Sequence, residues 1–395
     1  MKKSLVALAV GAAFAAPAAF ADVTISGAIN MGIEYVNVGD ASDNYGGGAD
    51  GQSNFGISNN YSNVTISSVD DLGGGLKLDF AFQIQTANDT AGGNLTNRNS
   101  HIGLVSESWG GVWYGSNENI YERYFYSIDP IDGAAGLGGN LQMMGTPGGQ
   151  VFCNDQNGQS GCYSWYRRDS DTIWYDSPNF NGFTFGVAYI TNDNRPAKTA
   201  GQDINPNGWE LGVKYVGTTM PIQAWFAAGD RTDNFGLAAM GRGVTTGANG
   251  STDTAYSGGV GYTIGDIFVF VNAERLEYEL DGVANGIKNW SRDAYGVGMK
   301  WNLASGYVGA QVIVAAEASC DTTGTGVCDD SDTGAKMIGV GYYHNLSKQT
   351  QAYIVGSWVD NDDNANYGTA GIGNGAMFQL GSTVYGLGVG LKHSF

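Results

Sequence analysis

Residues 385–395 read YGLGVGLKHSF and alternate large apolar side chains with small or polar ones up to the last residue. Successive side chains of a β-strand point to opposite faces of the sheet. The stretch therefore predicts a strand with one bulky apolar face and one small, wettable face. A soluble sandwich also alternates, but its second face would be richly charged, whereas this one is mostly glycine.

The same period of two recurs along the chain at intervals of twenty-odd residues. The second face is again mostly Gly, Ala, Ser and Gln, with sparse Lys and Glu. The clearest repeats are 208–216, 221–229, 256–264, 294–301 and 307–317. Two stretches that should also be strands, 99–105 and 266–280, show no clean apolar face.

Composition excludes several other classes. The chain has 63 glycines in 395 residues, and each glycine inside a helix costs roughly 1 kcal/mol relative to alanine, which excludes a helical bundle. An aromatic share of 12% excludes a disordered chain. The formal net charge of −19 argues against a nucleic-acid partner, because phosphates are neutralised by clustered Lys and Arg.

The N-terminus has the features of an export signal. Lys2 and Lys3 precede an apolar stretch at 4–15, and Ala19-Phe20-Ala21 forms a small-residue cleavage site. A membrane anchor is the alternative, but this stretch is too short, and no later segment approaches about 18 consecutive apolar residues. We expect a signal peptide at 1–21 and a mature chain at 22–395, destined for the periplasm, the exterior or an outer membrane crossed by strands.

The connections between predicted strands fall into two alternating classes. Seven are short, at 70–74, 108–110, 178–181, 217–220, 265, 304–305 and 346–347. Eight are long and polar, at 38–59, 88–97, 118–168, 193–206, 231–254, 281–291, 320–333 and 361–377. This asymmetry is typical of outer-membrane barrels. The predicted fold is all-β, a sixteen-stranded antiparallel transmembrane β-barrel with short periplasmic turns and long outer loops, in which every backbone polar group pairs with a neighbouring strand.

Four cysteines lie in polar stretches of the predicted outer loops. Cys153 and Cys162 are close in sequence, as are Cys320 and Cys328. Three connectivities are possible, and local pairing needs the least loop closure. We expect the disulfides Cys153–Cys162 and Cys320–Cys328. A metal site is the alternative, but neither pair has zinc-knuckle spacing or a nearby histidine.

Four motifs, spread in order over the mature chain, resemble those of the Gram-negative trimeric general porins of beta-proteobacterial type. They are DDLGGGLK at 70–77, NRNSHIGL at 97–104, YDSPNF at 175–180 and VGLKHSF at 389–395. The resemblance implies a homotrimer set in outer-membrane lipid and lipopolysaccharide, passing ions and small hydrophilic solutes. It also implies that the third outer loop folds into each barrel to form the narrowest point.

By our count that constriction loop is 118–168, the longest of the eight. Members of the resembled family oppose acids on this loop to arginines on the barrel wall. The candidate pore residues here are Arg98, Arg168, Glu118, Glu122, Asp129 and Asp132. Three usual arginine positions are instead occupied by Ser62-Asn63, Gly115-Ser116 and Trp174. With much of the basic set missing and an acidic chain, we expect a cation-leaning pore.

Other chemistry has weaker support. The acidic stretches 329–332 and 360–364 could hold Ca²⁺, although neither has EF-hand spacing; otherwise no cofactor is expected. Trp225, Tyr307 and Trp174 could line a sugar path, but the sequence shows no row of them. No dinucleotide or phosphate-loop motif is present, and none of the three histidines neighbours a plausible Ser or Cys nucleophile, so we expect no enzyme. A substrate-specific channel with a saturable site and an adhesive surface protein remain the alternatives to a diffusion channel.

Overall fold

The computed structural model describes residues 23–42, 50–86, 88, 95–131, 137–147, 153–154, 164–191, 205–234, 250–326, 328, 330–368 and 379–395. The expected signal peptide lies outside these residues, and so does Cys162, the expected partner of Cys153. The described part holds one α-helix, α1 (Ile120–Tyr126), and a 3₁₀ turn at Asn140–Gln142. No helix there is long and apolar enough to cross a membrane.

Nineteen strands account for most of the described chain. In chain order they are β1 (Thr24–Val38), β2 (Gln52–Asn59), β3 (Asn63–Gly73), β4 (Leu76–Gln85), β5 (Thr96–Ser106), β6 (Gly110–Glu118), β7 (Cys153–Asn154), β8 (Arg167–Asp176), β9 (Phe183–Ile190), β10 (Asn207–Val216), β11 (Ile222–Thr232), β12 (Gly250–Ile264), β13 (Ile267–Asp281), β14 (Gly286–Leu303), β15 (Gly306–Ala315), β16 (Ser319–Thr323), β17 (Ala335–Asn345), β18 (Thr350–Asn361) and β19 (Thr383–Ser394).

These strands form one closed sheet. β2 and β3 are two parts of one interrupted wall strand, because both pair with β1. The short strands β7 and β16 belong to loops, so sixteen antiparallel strands make the wall of the described barrel. β1 pairs with β19 on its other side, and Gly27 and Phe395 exchange two backbone hydrogen bonds of 3.1 Å. The predicted fold class is confirmed.

The period of two appears as two different surfaces. Along β19, Tyr385, Leu387, Val389 and Leu391 point outward and are 44–55% exposed. The intervening glycines face the interior, where side chains from the constriction loop lie against them. Sequence alternation and barrel geometry therefore agree on which face meets lipid.

β13 explains why 266–280 lacks a clean apolar face. Its side chains alternate regularly between exposed and buried. The outward face changes from Val269 and Val271 to Arg275 and Glu277, and Arg275 also pairs with Asp293 of β14 at 3.0 Å. We infer that this end of the hairpin rises beyond the lipid, so its outward residues are charged.

The same extension corrects the predicted loop 281–291. β13 ends at Asp281 and β14 begins at Gly286, so the connection is a tight turn. The residues assigned to a loop continue the strands above the membrane. Next to them, β16 pairs with β14, and the predicted disulfide Cys320–Cys328 is present with a Cα–Cα distance of 6.4 Å.

Candidate functional site

The chain between β6 and β8 turns into the barrel. Asn119 caps α1, because its side-chain oxygen accepts a hydrogen bond of 2.8 Å from the backbone N–H of Glu122. α1 lies directly against Gly186 of β9 and Gly212 of β10, where an added Cβ would meet Ile120 and Tyr124. Glycine at these two wall positions therefore lets the helix approach the sheet.

The later part of this loop rests on the opposite side of the wall. Leu137 lies over Gly386 and Gly388 of β19, and Gly138 lies over Gly339 of β17. Leu137 is fully buried there, in a cluster with Ile131 and Met337. Described parts of the loop thus lie against both the β9–β10 wall and the β17–β19 wall of the barrel.

Two wall arginines share one carboxylate at the start of the loop. Arg98 of β5 approaches Glu118 at 3.4 Å, and Arg168 of β8 pairs with the same Oε1 atom of Glu118. Arg98 also donates to Gln83 and Gln85, at 3.3 and 2.9 Å. These amides hold the guanidinium toward the lumen. The group has two positive charges and one negative charge.

Glu122 lies one helical turn beyond Glu118. Burial raises the pKa of the Glu122 carboxyl to about 8, and the charge of Glu118 adds to that rise, while Arg168 and Arg98 oppose it. Its Oε2 atom is buried and has no hydrogen-bond partner within the described residues. The third carboxyl-bearing candidate, Asp129, accepts hydrogen bonds from Asn140 and Gln311 instead. Asp132 lies outside the described residues.

The three positions that lack the expected arginines are neutral in different ways. Ser62 is buried and bonds the backbone of Asn30. Gly115 adopts a φ of 143°, a conformation that favours glycine. Trp174 stacks on Trp113 with ring centroids 6.0 Å apart. Among the candidate pore residues in the part of the chain that the structure describes, Arg98, Arg168, Glu118 and Glu122 form one interacting set of charges.

A first buried charge group anchors the beginning of the loop to the wall. Glu210 of β10 is fully buried and accepts a hydrogen bond of 2.6 Å from the backbone N–H of Ile120. Arg231 of β11 pairs with Glu210 and, at 2.5 Å, with Asp169 of β8. Sequence patterning placed Glu210 on the polar face but gave no sign that it contacts the loop.

A second buried group holds the middle of the loop. Glu274 of β13 accepts hydrogen bonds of 2.6 Å from both the Tyr121 hydroxyl and the Gly145 backbone N–H. Arg292 of β14 pairs with Glu274 at 3.0 Å and donates to the Thr146 carbonyl. Sequence analysis did not identify this pair. Glu274 lies in the stretch 266–280, which shows no clean apolar face, and Arg292 directly follows the predicted loop 281–291.

The aromatic candidates do not form an open path for sugar. Trp225 is buried in a small cluster with Phe270. Tyr307 stacks on Tyr343 with centroids 4.4 Å apart, and Tyr343 is 1% exposed. These rings pack against the wall and the loop. Within the described residues, no group of three or more His, Cys, Asp or Glu side chains could hold a metal ion. Calcium binding by the acidic outer loops stays a prediction.

With this geometry established, comparison with known proteins is informative. Residues 6–364 match the family model described as Gram-negative porin. The chain belongs to the Gram-negative porin family. This porin is 30% identical over 402 residues to outer membrane porin protein 32 of Delftia acidovorans, with full coverage of both chains. It is 26% identical over 440 residues to an outer membrane porin of Bordetella pertussis, also with full coverage of both.

Solved structures share the porin's fold. An anion-selective porin from Comamonas acidovorans superposes with a TM-score of 0.73 at 22% identity, covering 95% of this chain and 100% of that one. OmpT of Vibrio cholerae superposes with a TM-score of 0.61 at 13% identity, covering 96% of this chain and 99% of that one. The family match and the two porin relatives identify the protein as an outer-membrane channel rather than an enzyme.

Proposed function

We propose that this porin is a general diffusion channel for ions and small hydrophilic solutes, with a constriction that leans toward anions near neutral pH. The observation that carries the proposal is the sharing of Glu118 by Arg98 and Arg168. Charge at the narrowest point governs which ions pass. Two guanidinium groups against one carboxylate leave that point positive.

The cation preference expected from the sequence finds no support. It rested on the three neutral positions that lack the usual arginines and on the acidic net charge of −19, but charges beyond a Debye length of about 8 Å are screened in physiological salt. Acids on the outer loops therefore count less than the four groups at the constriction. The solved porin from Comamonas acidovorans is described as anion-selective, which agrees with this proposal.

The assembly completes the proposal. We expect three copies of the barrel to associate, with the remaining apolar outer surface in contact with lipid and lipopolysaccharide. Support comes from the continuous band of exposed apolar side chains, such as Ile33, Phe55 and Leu387. Current steps that arrive in groups of three in planar bilayers would support the trimer.

The reversal potential in a KCl gradient tests the selectivity. At pH 7 the reversal potential of the wild-type channel is expected to have the sign that shows a preference for chloride. Solute flux is expected to rise linearly with solute concentration. A clear potassium preference at pH 7 would contradict the anion-leaning constriction. Saturable block by one solute would instead favour a substrate-specific channel.

A further inference from the structure

We infer that Glu122, whose buried Oε2 atom has no hydrogen-bond partner in the described structure, is the residue that sets how strongly the constriction discriminates between anions and cations. This inference deepens the proposed function and rests on it. It concerns one side chain of the constriction helix and the charges that surround it.

The nearby cations are already engaged with other carboxylates. Arg98 and Arg168 both pair with Glu118. Arg123, the next residue on α1, forms a two-pronged pair with Asp176 of β8, at 2.9 and 3.3 Å. Glu122 has no ion pair within the described residues, and its Oε2 atom is buried without a hydrogen-bond partner. A carboxylate in that position would be poorly compensated.

The charged groups that act on Glu122 come from three strands, β5, β6 and β8. Glu118 of β6 and Asp169 of β8 disfavour its ionisation, whereas Arg168 of β8 and Arg98 of β5 favour it. Burial on α1 is the largest effect, and together they raise the pKa of Glu122 to about 8. Below that pH its protonated form persists, because the folded protein holds the proton more tightly than a free side chain would.

The charge balance of the constriction follows directly. With Glu122 protonated, Arg98, Arg168 and Glu118 give one net positive charge. With Glu122 ionised, the four groups sum to zero. Raising the pH through about 8 should therefore weaken the preference for anions, whereas lowering it from 7 to 6.5 should change little at this site.

Reversal potentials in a KCl gradient, recorded on the assembled channel from pH 6.5 to 9.5, test this inference. The chloride-to-potassium permeability ratio of the wild type is expected to fall about twofold, the effect of one unit charge roughly 8 Å away through water. The midpoint is expected near pH 8. Glu122→Gln should keep the ratio of the low-pH wild type throughout the range.

Glu107→Gln provides a matched control, because Glu107 lies in a periplasmic turn with its side chain 96% exposed. The chloride-to-potassium permeability ratio of this variant should change with pH in the same way as that of the wild type. A flat wild-type profile, or a Glu122→Gln channel that keeps the same step, would overturn the inference. The sign of the potential at pH 6.5 separately tests the anion-leaning function, so the two failures are distinguishable.

Discussion

Glu210 accepts a hydrogen bond of 2.6 Å from the backbone N–H of Ile120, a residue 90 positions earlier in the chain. The carboxylate thus fixes the first turn of α1, on which Glu122 is carried. Arg231 balances its charge from the neighbouring strand. The position of Glu122 therefore depends on a wall residue that is not itself part of the charged group around Glu118.

Replacing Glu210 with Gln should loosen the constriction loop. The change leaves Arg231 with Asp169 as its remaining carboxylate partner and removes one of the two negative charges that compensate it. Breaking a buried pair typically costs about 3–5 kcal/mol, so we expect the urea midpoint for unfolding to fall and single-channel current noise to rise. Glu107→Gln is the control; equal stability and equal noise in the two variants would refute the anchoring role.

Glu274 and Arg292 should behave as one unit. Each single replacement, Glu274→Gln or Arg292→Met, leaves a buried partner uncompensated and should cost about 3 kcal/mol or more. The double variant should cost less than the sum of the two, with a coupling of about 0.5–3 kcal/mol. A double-mutant cycle of unfolding free energies measures this, and strict additivity would show that the pair is energetically independent.

The three ion-paired residues of the constriction should shift selectivity in opposite directions. At pH 7, Arg98→Gln and Arg168→Gln each remove a positive charge and should lower the chloride-to-potassium ratio about twofold. Glu118→Gln should raise it by a similar factor. Reversal potentials in a KCl gradient measure the direction in which each variant changes the chloride-to-potassium permeability ratio. Shifts of the same direction in all three variants would mean that pore shape, not charge, controls permeation.

Glu122 should also make stability depend on pH. Its pKa in the folded protein is about 8, above the ordinary value of 4.5, so the folded state binds the proton more tightly than the unfolded chain. The contribution of Glu122 to the free energy of unfolding is therefore greatest below about pH 4.5, and it is lost as the pH rises to about 8. Urea unfolding midpoints at pH 6 and 9 should differ more in the wild type than in Glu122→Gln.

The Cys320–Cys328 disulfide should stabilise the outer loop without affecting conduction. Both cysteines pack against the cluster that contains Trp290 and Ile287. Closing so short a loop constrains the unfolded chain by about 2.5 kcal/mol. Replacing both with Ser should increase proteolysis near β16 while leaving conductance unchanged. A large change in conductance would show that this loop reaches the pore.

Sequence periodicity predicted the barrel because the outward side chains contact lipid and must therefore be apolar. Leu387 and Val389 must be apolar and Gly388 can be small, so the pattern is visible in β19. The pattern failed in β13, where Arg275 and Glu277 leave the lipid and the outward face becomes charged. A rule based on hydrophobic alternation cannot distinguish such a strand end from a loop.

The candidate site was predictable only in part. Arg98 and Glu118 belong to recognisable segments, and their meeting agrees with the expected geometry. The contacts of Glu210 and Glu274 with the loop were not predictable, since they join residues 90 and 153 positions apart. Periodicity assigns a side chain to one face of the sheet. It does not identify the loop residue that this side chain contacts.

The bonds between Gly27 and Phe395 lie at the seam where β1 meets β19. A sheet left open at this seam would expose a row of unpaired backbone N–H and C=O groups on each of the two strands. In hydrocarbon each such group costs several kcal/mol, because no water is present to bond it. Pairing at the seam therefore lets lipid surround the sheet on all sides.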